Sequence, residues 1–156
     1  VTATTFTRSR VAQRLFDLIA DAEDLPDDVE VLRSVRAATD RRAQIFQGDI
    51  LGDTTSVPTM RAGRNTYRDQ FRVEVFCVAW TAGDDTFADS DTAVEQLAEI
   101  VRSVVADNPQ LTGDDTLCVT SAVVTLADGP NGYHTDHGSA SAMRLEVSID
   151  QRINPQ

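Results

Sequence analysis

The sequence predicts an α+β domain, an antiparallel or mixed β-sheet with two main α-helices packed on one face. Three observations lead there. Two windows repeat apolar residues at steps of three and four, the period of a helix face. Five other windows read as strands, most of them by alternation of apolar and polar residues. The order helix, three strands, helix, two strands sets strands beside one another in the chain, which favours direct pairing over repeated βαβ crossovers. A chain of 156 residues is one domain's worth, so residues 1–156 are taken as a single unit.

The first helix is expected from Thr7 to about Glu23. Val11, Leu15, Leu18, Ile19 and Ala22 fall on one face, Thr7 or Ser9 caps the start, and Leu25-Pro26 ends it. DDVEVLRSV follows as a strand, with Val29, Val31 and Val35 alternating against polar residues. RRAQIFQGDI is a plausible short strand, whereas LGDTTSVPTMRAGRN is rich in turn formers and receives no firm assignment. Tyr67–Trp80 is the clearest strand. Its first half sets Phe71, Val73 and Val75 against Arg72 and Glu74, and its second half is apolar on both faces, so it runs under another layer or a neighbouring subunit. After the acidic turn TAGDDTFADSD comes the second helix, TAVEQLAEIVRSVVADNP. Val94, Leu97, Ile100, Val101, Val104 and Val105 form its stripe, Asp89 and Asp91 favour its positive end, and Asn108-Pro109 stops it. Leu117–Ala127 and MRLEVSIDQRI close the fold as two strands. Between them Asp128–Met143 reads as a loop, longer than hairpin connections of about two to five residues.

The formal charge of -11 excludes tight nucleic-acid binding, which needs concentrated positive charge, but suits a wall that DNA must slide past. All fourteen basic residues are arginine. The absence of lysine removes Schiff-base chemistry, a lysine general base and a P-loop lysine. Cys77 and Cys118 lie in apolar runs without a second cysteine at ligand spacing. They read as buried free thiols, although two neighbouring strands could bring them together. No apolar run has the length to span a bilayer, and VTATTFTRSR lacks the apolar core of a signal peptide, so a soluble protein made in a reducing cytoplasm is expected.

Chemistry is sparse. GxGxxG, GxxxxGK, GxSxG and CxxC are all missing. Both histidines fall in DGPNGYHTDHGSASAM, and His134, Asp136 and His137 there define the alternative of a metal-dependent hydrolase. Glycines on both sides give that trio a mobile frame without a third rigid ligand, so neither a metal ligand set nor a catalytic residue is assigned. Contact with other protein is the better use of these residues. Tyr133, His134 and His137 are candidate partner or subunit contacts, with Tyr133 either presented to a partner or folded back on its own strand. Arg61, Arg64 and Arg68, continued by Arg72, form a basic row in an acidic chain. Such a row suits a head-to-tail contact with a neighbour's carboxylates, or else a charged strand edge that resists aggregation.

The order of these segments resembles the tail terminator proteins of long-tailed bacteriophages, a family of minor tail or tail completion proteins. The likeness runs from about Val11 to Ile153. It is carried by the N-terminal amphipathic helix, RRAQIFQGDILGD, RAGRNTYRDQFRVEVFCVAW, the acidic turn, AVEQLAEIVRSVVADNPQL and a closing strand pair with a variable loop. The resemblance implies a structural virion protein without enzymatic activity or cofactor. Such a subunit forms a ring homo-oligomer, a hexamer, at the head-proximal end of the tail tube. There it stops tube polymerisation and docks the head-completion or connector proteins, with tail tube protein on the other side, DNA passing through and no membrane involved. Another neck or head–tail connector component is the alternative. The long histidine-bearing loop departs from the family pattern.

Overall fold

The computed structural model describes residues 7–33, 43–57, 66–81, 87–135 and 138–153. The elements in chain order are α1 (Arg8–Ala20), β1 (Val29–Leu32), β2 (Ala43–Val57), β3 (Thr66–Thr81), α2 (Phe87–Asp107), β4 (Val119–Thr135) and β5 (Gly138–Ile153). The strands form one sheet in the order β1-β2-β3-β5-β4. β1 pairs parallel with β2 and every other pairing is antiparallel, so the sheet is mixed. The expected α+β class, with both helices on one face, is the observed one.

The core follows from the two periodicities. Val11, Ala12, Leu15, Phe16 and Ile19 line the buried face of α1, and Val94, Leu97, Ala98, Val101 and Val105 that of α2. Beneath them, every second residue of the two central strands points inward: Phe71, Val73, Val75 and Cys77 from β3, and Met143, Leu145, Val147 and Ile149 from β5. Each such aliphatic side chain contributes about 1.5–3 kcal/mol of burial.

Polar residues also enter this layer. Asp69 is fully buried and holds the Arg8 guanidinium through both carboxylate oxygens, with Arg8 Nη2 2.6 Å from Oδ1. Gln151 donates from Nε2 to the other side of Asp69 at 3.0 Å and accepts from Thr7 Oγ1 at 2.9 Å. Thr7 therefore occupies the N-cap position of α1, but its hydroxyl makes no cap bond and is turned into the core instead. The expected cap is corrected: a buried Gln151 acceptor competes successfully with the helix amides.

Several boundaries differ from expectation. α1 stops at Ala20, well before Pro26, because the chain tightens through Ala22 N–H to Ile19 O and Leu25 N–H to Ala22 O. α2 starts at Phe87, absorbing part of the acidic turn, with Asp89 in its first turn. It ends as expected: Asn108 caps Val104 O through both its backbone and its side-chain amide. LGDTTSV belongs to β2, whose alternation is interrupted by a register shift between Gln47 and Ile50. Val35 lies outside the described residues. Both cysteines are free; Cys77 is buried but Cys118 is exposed, a correction that follows from its position just before β4 begins. Among the described residues no helix is long and apolar enough to cross a membrane.

Candidate functional site

The expected loop Asp128–Met143 is a continuation of the β4–β5 hairpin. Pairing runs out to Thr135 opposite Gly138, and Thr135 Oγ1 donates to Gly138 O at 3.0 Å. Gly129, at φ 109°, and a register shift between Asp128 and Asn131 take up the turn-forming residues as a bulge inside β4. Tyr133 stands opposite Ala140 and His134 opposite Ser139, so the two side chains leave opposite faces of the ribbon. Tyr133 is 43% exposed, and partial burial of its ring raises the phenol pKa. His134 leans toward α2, its ring centroid 4.7 Å from that of Phe87 at a tilt of 41°. Asp136 and His137 lie outside the described residues. Among the described residues no group of three or more His, Cys, Asp or Glu could hold a metal ion.

Beside this hairpin, α2 is pinned to β5 by hydroxyls. Ser141 Oγ donates to the Asp91 carboxylate and accepts from Ser90 Oγ at 2.9 Å, with Phe87 O 3.1 Å from Ser90 Oγ. A serine, an aspartate and a nearby histidine invite comparison with acyl-transfer enzymes, but the arrangement does not perform that chemistry. Ser141 is bonded to Asp91 without an imidazole between them, and both serines are completely buried, so no carbonyl carbon can approach. The cluster anchors the start of the helix. No spacing rule marks it, because Ser139-Ala140-Ser141-Ala142 has the composition of a loop.

The sheet face away from the helices carries the second surface. Arg68 pairs with Asp150, Arg72 with Glu146 at 3.5 Å, and Arg144 with Glu74 at 3.1 Å and Glu146 at 3.8 Å. Hydrogen bonding to Asp150, then its charge, raises the Arg68 pKa further. Of the predicted arginine row, Arg68 and Arg72 are thus held within the sheet, while Arg61 and Arg64 lie outside the described residues. Beside this ladder Leu51, Val123 and Leu126 are 46%, 54% and 36% exposed. Val123 and Thr125 join Arg68, Gln70, Arg72 and Asp150 around a trough of about 630 Å³.

A third feature lies at the other end of the molecule, between α2 and the ends of β1–β3. It is a groove of about 520 Å³ with buried Val29, Ala43, Ala79 and Leu97 at its floor. No spacing rule marks it, because its residues come from four separate elements.

No family model matches the chain. No curated protein matches it either. Among solved structures it is similar to a chain from the virion of native gene transfer agent (GTA) particle, with a TM-score of 0.47 and 12% identity. That alignment covers 96% of this chain and 99% of the other. At this identity and score neither fold detail nor role transfers from one chain to the other.

Proposed function

We propose that this chain is a structural subunit of a bacteriophage-like virion, and that within it the chain acts as a tail terminator. In this reading copies assemble into a ring, a hexamer, at the head-proximal end of the tail tube. The ring ends tube polymerisation, meets the tail tube protein on one side and docks head-completion or connector protein on the other. It has no catalytic activity and no cofactor.

The observation that carries the reading is the one-sided covering of the sheet. Both helices pack on one face, while the opposite face presents Leu51, Val123 and Leu126 among paired charges. Exposed apolar side chains gathered beside a polar ladder are what a protein–protein contact requires. The resemblance of the segment order to tail terminators adds the location, and the charge of -11 suits a channel through which DNA passes without adhering.

The test is tube length. Tail tube protein polymerised in the presence of this chain is expected to give tubes that stop growing and bear a ring at one end by electron microscopy. Tubes that grow to the same length distribution with and without it would remove the terminator assignment. Rings found instead on head portals, away from tubes, would favour the neck or connector alternative.

A further inference from the structure

The groove at the α2 end of the sheet is apolar within and acidic at its rim. Ile100 of α2 forms a half-buried wall and Trp80 borders the groove at the end of β3, while Asp24, Asp28 and Glu99 stand exposed around the opening. No basic residue lines it among the described residues. Among the described residues neither Asp24 nor Asp28 takes part in an ion pair, and Glu99 holds one arginine, Arg102, on the solvent side of α2. Such a site selects a short segment with an apolar side chain to fill the floor and cations beside it to meet the carboxylates.

The chain contains such a segment. Residues 58–65, PTMRAGRN, connect β2 to β3 and hold Met60, Arg61 and Arg64 with no acidic residue among them, in a protein of net charge -11. Methionine is flexible and adapts to irregular apolar recesses. The segment cannot serve its own groove. It leaves the sheet at the Thr66 end of β3, whereas the groove lies at the Ala79–Thr81 end. Sixteen residues of strand separate those ends by about 50 Å, and a loop of this length folded back on itself reaches about 14 Å at most.

We propose that residues 58–65 of one copy dock in the acid-rimmed groove of the next, Met60 on the apolar floor and Arg61 and Arg64 against Asp24, Asp28 and Glu99. This rests on the self-assembling reading above and specifies the surfaces that assembly uses. The contact joins one end of a subunit to the opposite end of its neighbour. Repetition of such a heterologous contact closes a ring or extends a filament.

A synthetic peptide of residues 57–65, titrated into the full chain, is expected to bind saturably by titration calorimetry. Asp28→Arg with Glu99→Arg should weaken the peptide at least tenfold and accept instead a peptide carrying Arg61→Glu and Arg64→Glu. In sedimentation, the full chain with R61E/R64E and the full chain with D28R/E99R should each fail to assemble alone and should co-assemble when mixed. A peptide that does not bind, or that binds with the same affinity after reversal of the rim, overturns the proposal. So does a concentration-independent groove filled by the chain's own residues 34–42, or a peptide that binds while reversal leaves assembly intact, which assigns the groove to a different basic partner. Continued ring formation by the R61E/R64E chain refutes this contact and leaves the ring reading standing, whereas a wild-type chain that neither self-associates nor caps tubes removes that reading itself.

Discussion

Asp69 is a carboxylate with no exposure, and its burial is tolerated because Arg8 and Gln151 between them satisfy both oxygens. Removing one partner of such a pair leaves the other's desolvation uncompensated. Asp69→Ala is therefore expected to lower unfolding stability by about 3 kcal/mol, measured by urea denaturation. Gly52 is constrained differently: a Cβ there would lie 2.4 Å from Gln70 O and from the Phe71 Cα. Gly52→Ala should cost about 1–3 kcal/mol, since β2 must shift away from β3 to admit the methyl. Cys77 shows the effect of burial on a thiol, its pKa pushed up to about 12 from an ordinary 9.0. The native state keeps the proton while the unfolded chain loses it in the ordinary range. This contribution to stability is thus complete below about pH 9 and disappears as pH rises toward 12. Iodoacetamide at pH 8 should label exposed Cys118 in the native protein and reach Cys77 only on unfolding; rapid native labelling of Cys77 would contradict its placement.

At the level of elements, the β3–β5 ladder makes a sharper case than any one salt bridge. Glu74 and Glu146 are directly opposite across the two strands, and Arg144 lies against both. Arg144→Ala leaves two carboxylates facing each other at low exposure. The variant should be less stable than wild type by about 1–2 kcal/mol at pH 7, measured by urea denaturation. These strands were legible because β5 alternates without interruption from Met143 to Ile149, and both helices because their apolar stripes hold to one period. The register shifts were not legible. Gly129, Pro130, Asn131 and Gly132 carry loop chemistry, yet the chain uses them to bend a continuous strand, so a hairpin was read as a loop. β2 from Leu51 onward escaped for a similar reason: the shift after Gln47 breaks the alternation that would have marked it. The polar clusters around Asp69 and Ser141 escaped because alternation registers apolar residues and is blind to a buried acid or serine with a distant partner.

For the molecule as a whole, the issue is what covers the second face of the sheet and the groove at its end. Both sites combine apolar side chains with charge; the trough lies on the face that the two helices leave open, and the groove has α2 as one of its walls. Val123 is half exposed, so Val123→Asp should change the stability of the isolated chain by no more than about 0.5 kcal/mol in thermal unfolding. The same substitution should abolish incorporation into particles if this face is a subunit or partner contact. The most direct measurement is electron cryo-microscopy of assembled particles containing the chain. The account predicts a single ring of this subunit between the tail tube and the head, with the Val123 face or the groove covered by protein. A chain absent from particles, or spread along the tube with both surfaces open to solvent, would contradict it.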